Sequence, residues 1–215
     1  MSRLPYPNPS LPIMYTAIGD SLTVGKGSGL FAPGFVERYA TELGYLGAHP
    51  VLPHKFARIG ATSGEILSFT FNPGITYLLA DSPIITITSG GNDLIQAGEQ
   101  FLKTKDIRLI PAAIQQALSN NGRMIQQILD LQKSKHNQGQ VYLFNMYNPF
   151  PSQPEAEEGI RAYNRALEQL QAYGVKIVDI YHAFQGRTPY LLSRNDVHPN
   201  SEGYQVMTDA LLNTH

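Results

Sequence analysis

Ser21 sits in Gly19-Asp20-Ser21-Leu22, directly after the apolar run Ile13–Ile18, and His198 sits in His198-Pro199-Asn200 near the other end of the chain. A serine hydroxyl is a poor nucleophile until a neighbouring base takes its proton, and an imidazole suits that task at neutral pH. A tight turn leaving a buried strand exposes such a hydroxyl at the rim of a sheet, where free backbone N–H groups gather. The tetrahedral oxyanion formed on attack needs several donors. The N–H of Ser21, a glycine N–H in Gly60-Ala61-Thr62-Ser63-Gly64 and the side-chain amide in Ser89-Gly90-Gly91-Asn92-Asp93 are groups of the right type. Together these residues suggest a serine hydrolase.

The elements that must carry these residues follow from hydrophobic patterning. Short apolar runs at Ile13–Ile18, Lys55–Ile59, Ile84–Thr88, Val141–Met146 and Val175–Ile180 predict strands. Helical patterns lie at Phe35–Leu43, Ser63–Leu79 (broken by Pro73-Gly74), Ile107–Lys135, Glu155–Ala172 and Ser201–Asn213. Gly44, Gly139 and Gly174 fall near expected helix ends, and Pro111 marks a start inside the third segment. The alternation predicts an α/β fold, a five-stranded parallel sheet with helices on both faces, forming one domain over residues 1–215. In such a sheet ligands bind outside the carboxyl ends of the strands. The Ser21, Gly60 and Asn92 clusters follow the first three strands, so with the His198 cluster they are expected at one rim.

Composition narrows the function further. The chain has 215 residues, a net charge of −1 and no block of like charge, which argues against a nucleic-acid partner. It has no cysteine, which excludes disulfides, thiolate metal sites and a cysteine nucleophile. His49, His54, His136, His182 and His215 show no metal-ligand spacing, and no metal or other cofactor is expected. The stretch Met1–Pro12 is proline-rich and lacks the apolar centre of a secretory signal, and no run approaches the ~20 apolar residues of a spanning helix. The expectation is a cytoplasmic protein. A P-loop reading fails because five residues separate Gly19 from Gly25 and Gly27 stands where a magnesium-binding hydroxyl belongs. The Gly-x-Ser-x-Gly elbow fails at Thr23.

The four clusters, in order, resemble blocks I, II, III and V of the GDSL, or SGNH, hydrolase family over nearly the whole chain. The resemblance implies a flavodoxin-like three-layer α/β/α sandwich, a Ser-His-Asp arrangement and no cofactor. Carried over by position, Ser21 is the nucleophile, His198 the general base, and Ser21, Gly60 and Asn92 form the oxyanion hole. Tyr163-Asn164 through Leu170 is similar to a structural helix of the family. One departure concerns the acid. The family places its Asp three residues before the His, where this chain has Asn195, and Asp196 is only two before. Asp196 is the expected partner of His198, with Asn195 or a backbone carbonyl as replacements. The implied activity is a lipase or esterase acting through an acyl-enzyme on a small acyl ester or lipid. An acetyl esterase on sugars, a thioesterase, or a catalytically silent binding module would share the same fold. Gly27–Phe35, Phe69, Phe71 and Tyr147–Pro151 are candidates for an acyl groove or for the core.

Overall fold

The computed structural model describes residues 11–214 apart from Ala48, so Met1–Ser10, most of the proline-rich start, and His215 lie outside the described residues. The apolar runs form one parallel sheet of β1 (Ile13–Gly19), β2 (Val51–Ala57), β3 (Ile84–Thr88), β4 (Gln140–Phe144) and β5 (Lys176–Val178), in the order β2-β1-β3-β4-β5. The helices are α1 (Ser21–Val24), α2 (Phe35–Gly47), α3 (Ser63–Phe69), α4 (Pro73–Asp81), α5 (Gly91–Thr104), α6 (Leu109–Ser134), α7 (Pro154–Leu167), α8 (Ile180–Phe184), α9 (Thr188–Leu191) and α10 (Ser201–Leu212). A 3₁₀ stretch, Glu168–Tyr173, extends α7.

Strand residues alternate between two cores, as a period of two requires. Ile18, Ile85, Ile87, Val141 and Leu143 face Ile66, Leu79, Met124, Ile125, Ile128 and Leu167 of α3, α4, α6 and α7. Tyr15, Ala17, Phe144 and Val178 face Phe35, Tyr39, Ile180, Phe184, Tyr204 and Met207 of α2, α8 and α10. Burial of each large side chain contributes about 1.5–3 kcal/mol, so both layers of helices are needed to hold the sheet. This is the expected three-layer α/β/α arrangement.

The differences from the sequence reading have local causes. β2 starts four residues before the expected Lys55, at Val51, because Pro53 lies in an edge strand, where a missing N–H is tolerated. α2 runs through Gly44 to Gly47 instead of stopping at Leu43. β5 is only Lys176–Val178, because the Asp179 carboxylate accepts the His182 N–H and opens α8. The helix α5 lies outside the expected helical segments, although Asn92 and Asp93 are of the kind that start a helix. It opens on Gly90-Gly91, and its inward stripe is short: Ala97 is buried, Leu94 packs partly buried against the core and Phe101 is half-buried, while Ile95 and Leu102 are exposed. The break at Pro73 divides α3 from α4, with the Asn72 side chain accepting the Gly74 N–H.

Gly19 is the residue on which the central pair closes. It stands opposite Thr88 in the β1–β3 register, and a Cβ here would overlap Thr88 Oγ1 and lie 2.7 Å from the Thr88 carbonyl oxygen. Gly19→Ala is therefore expected to lower stability by about 1–3 kcal/mol through overpacking, read as a lower urea midpoint at unchanged m-value.

Candidate active site

The serine side is built on the end of β1. Asp20 leaves the strand with extended geometry, and its Oδ1 accepts the Leu22 N–H at 2.9 Å, which starts α1. Gly25, at φ +89°, ends that helix after one turn. Ser21 is its first residue, so its N–H has no intrahelical acceptor. The side chain is nearly buried, and its Oγ lies 2.7 Å from His198 Nε2.

The histidine side hangs on a loop tied at several points. Asn200 caps α10 by accepting the Gly203 N–H, and its amide donates to the carbonyls of Tyr190 and Leu192. Ser193 Oγ donates to the Gly27 carbonyl at 2.7 Å, Tyr204 Oη to that of Lys26 at 2.7 Å, and Tyr147 Oη to that of Val197 at 2.6 Å. Between these ties the Asp196 N–H closes a turn on the Ser193 carbonyl at 3.1 Å. Asn195 occupies the third position of that turn with φ +57°, the left-handed region that Asn enters more readily than most residues. The turn delivers Asp196 Oδ1 to 2.5 Å from His198 Nδ1. Asn195 itself is exposed and makes no side-chain hydrogen bond among the described residues.

These contacts fix the proton positions. An ionised carboxylate only accepts, so Nδ1 carries the imidazole proton and Nε2 accepts from the Ser21 hydroxyl. Burial pushes the Asp196 carboxyl up, but the hydrogen bond and charge of His198, the Val197 N–H and the Lys26 ammonium at 3.7 Å outweigh it and hold the group below its ordinary value. His182 forms a similar 2.5 Å pair with Asp179. That pair is largely exposed, and no hydroxyl bonds His182 Nε2 among the described residues.

Gly60 and Asn92 come from adjacent turns. Gly60 has φ +79° and open space where a Cβ would stand, and its N–H has no acceptor among the described residues. Asn92 Nδ2 donates to the carbonyl of Ala61 at 2.8 Å, which fixes one amide hydrogen and leaves the other without an acceptor among the described residues. Asp93 grips the start of α3, accepting Ser63 N–H on Oδ2 at 2.8 Å and Ser63 Oγ–H on Oδ1 at 2.7 Å. The Arg58 N–H donates to the Gly19 carbonyl at 3.2 Å, tying this turn to the end of β1. The candidate groove residues divide: Phe35 and Tyr147 are core, the latter stacked on Phe184. Leu30 and Phe31 stand 87% and 95% exposed on the loop after α1, and Phe71 is half exposed.

Fold and site together define an ester hydrolase of the serine type. The profile of the GDSL-like lipase/acylhydrolase family matches residues 17–206. The spore germination lipase LipC of Bacillus licheniformis is 40% identical over 202 residues, covering 94% of this chain and 95% of that one. The solved lipase Lip_vut3 from a goat rumen metagenome superposes with a TM-score of 0.89 at 40% identity, covering 93% of this chain and 96% of that one. The acetylxylan esterase Axe2 of Geobacillus stearothermophilus, at 16% identity and a TM-score of 0.69 over 93% of this chain and 92% of that one, shares the fold. The chain belongs to the GDSL-like lipase/acylhydrolase family and is a carboxylic ester hydrolase. Among the described residues no helix is long and apolar enough to cross a membrane.

Asp20 beneath the serine carries a measurable signature. Burial raises its carboxyl above the ordinary value; the Leu22 N–H, the Thr88 hydroxyl and the nearby His198 offset this only in part. The folded state thus holds the Asp20 proton more tightly than the unfolded chain does. The stability this confers is complete below about pH 4 and is lost as pH rises through the raised value. Asn keeps the capping oxygen without the charge. The melting temperature of Asp20→Asn should therefore gain on the parent as pH rises from 4 to 8, whereas a constant difference would refute the buried-charge account.

Proposed function

We propose that residues 1–215 form a single hydrolase domain in which Ser21 is the nucleophile, His198 the general base and acid, Asp196 the residue that orients it, and Ser21, Gly60 and Asn92 the oxyanion donors. The observation that carries this reading is the continuous hydrogen-bonded line from Asp196 through His198 to Ser21, at 2.5 and 2.7 Å. Asn195 is not needed to orient the imidazole. Its part is the left-handed turn that lets an acid two residues before the histidine reach Nδ1.

In the reaction, Ser21 Oγ bonds to the ester carbonyl carbon as its proton passes to His198 Nε2. The carbonyl electron pair moves onto oxygen, where the N–H groups of Ser21 and Gly60 and the second hydrogen of Asn92 Nδ2 receive it. Collapse breaks the bond to the alcohol, which leaves with the proton from Nε2. Water then attacks the acyl-serine by the same steps and releases the acid. The negative Asp196 stabilises the imidazolium formed in each half.

The exposed Leu30 and Phe31 on the loop following Ser21 favour an apolar acyl chain, and the lipase names of the relatives at 40% identity support a lipid ester. A cytoplasmic or spore location belongs to this reading, and the similarity to a spore germination lipase supports the spore.

Hydrolysis of p-nitrophenyl esters from acetyl to palmitoyl tests this reading. Turnover should rise with chain length beyond acetyl and vanish in Ser21→Ala. Asp196→Ala should lose about 10³–10⁴-fold in kcat, while Asn195→Gly, which keeps the left-handed turn, should stay within about threefold of the parent. Turnover largely retained in Asp196→Ala would displace it from the acid role. A preference for acetyl would move the substrate towards acetylated sugars.

A further inference from the structure

Two buried side-chain polar atoms lack a partner among the described residues, Ser89 Oγ and Asn121 Oδ1. Their residues are the two ends of one hydrogen-bonded line behind the Asn92 turn. Asn121 Nδ2 donates to Tyr163 Oη at 3.0 Å, and Tyr163 Oη donates to the carbonyl of Ser89 at 2.8 Å. The incoming N–H occupies a lone pair of the phenol and so aims its single hydrogen at Ser89. The next peptide must turn at Gly90, at φ +97°, where a Cβ would overlap Tyr163 Oη; Asn92 follows in the first turn of α5.

The neighbouring residue on α6 does the same for the other wall. Asn120 Nδ2 donates to Ser63 Oγ at 2.9 Å, and Ser63 is gripped by Asp93 just beyond the Gly60 turn. Gln116 Nε2, one turn back, donates to Asn120 Oδ1 at 3.2 Å. Both asparagines are buried, on a helix whose Ala117, Met124 and Ile125 belong to the apolar core. An apolar residue at 121 would serve packing better, since it would leave no unpaired oxygen. Polar groups kept at such a cost point to a requirement other than folding.

We propose that Asn120 and Asn121 are positioning residues for the oxyanion hole, Asn120 holding the Gly60 wall through Ser63 and Asn121 holding the Asn92 wall through Tyr163. The inference rests on the proposed roles of Gly60 and Asn92. Donors must meet the oxyanion within a few tenths of an ångström, and only directional bonds impose that tolerance on two turns that are far apart in sequence.

The test measures kcat, KM, the rate of Ser21 labelling by a fluorophosphonate and thermal stability for Asn121→Leu, Asn120→Leu and Tyr163→Phe, with Asn92→Ala as benchmark. Asn92→Ala should lose about 10²–10³-fold in kcat. Asn121→Leu should lose about tenfold in kcat and in labelling rate, with KM within twofold and the melting temperature equal or higher. Asn120→Leu and Tyr163→Phe should show the same split between kcat and KM. Unchanged kcat in all three beside a crippled Asn92→Ala overturns the inference and leaves the oxyanion reading intact. An active Asn92→Ala refutes the reading on which the inference rests. Variants that fail to fold, or that lose only melting temperature, assign the pair to folding alone and also overturn it.

Discussion

The contact between the ends of β1 and β3 governs the rest of the molecule. Thr88 Oγ1 stands at its centre, donating to Asp20 Oδ1 at 2.9 Å and lying 3.3 Å from the Asp20 N–H that it accepts. Its one hydrogen is used on Asp20, so Thr23, at 2.8 Å, must donate to it. This cluster forms only because Gly19 brings no side chain between the strands. Parallel pairing makes Gly19 and Thr88 end level, so the turns carrying Ser21 and Asn92 leave the sheet side by side. The Arg58–Gly19 backbone bond then adds the Gly60 turn from the other side of β1. One register thus assembles three segments, and a slip of one residue would send Ile18 to the opposite face and separate them.

The histidine belongs to no strand, and its position needs a different device. A loop is held only by what it bonds, and the stretch from Ser193 to Asn200 is bonded to Gly27, to Tyr147, to Tyr190 and Leu192, and to itself. Tyr204 on α10 meanwhile fixes Lys26, whose ammonium faces the free side of Asp196. The shorter acid–histidine spacing of this chain is absorbed entirely within one turn. A left-handed residue reverses the chain fast enough that the carboxylate still meets Nδ1, without moving the imidazole from Ser21.

What the sequence made legible follows from where chemistry and burial coincide. The central strands read clearly because both their faces are buried and their residues are almost all apolar. The junction motifs read clearly because glycine, asparagine and serine are concentrated at turns where a strand stops. α5 was hidden because it opens on glycines with no side-chain cap, and its inward stripe of Leu94, Ala97 and Phe101 is short and mixed with the exposed Ile95 and Leu102. The start of β2 was hidden because Pro53 breaks a strand pattern unless the strand is known to be an edge. Asn120 and Asn121 escaped notice because a polar stretch inside a long helix reads as a solvated face. Their signal was nonetheless present: two consecutive poor helix formers sit mid-way along a helix of 26 residues, where surface demands alone would select better ones.

The distribution of polar groups in the interior separates two kinds of requirement. Apolar contacts carry most of the stability, yet they are non-directional, and a side chain can shift by half an ångström with little loss. Hydrogen bonds contribute less net energy but fix angle as well as distance. In the two cores the helices meet the sheet through Ile, Leu, Met, Phe and Tyr. At the carboxyl edge the contacts change character, to Asp20–Thr88–Thr23, Asn121–Tyr163–Ser89 and Asn120–Ser63–Asp93. Each of these lines runs from rigid strand or helix backbone to a turn that carries one of the proposed site residues. Replacing such a line by apolar packing would keep the turn in place on average while releasing its orientation, and orientation is what a developing oxyanion discriminates.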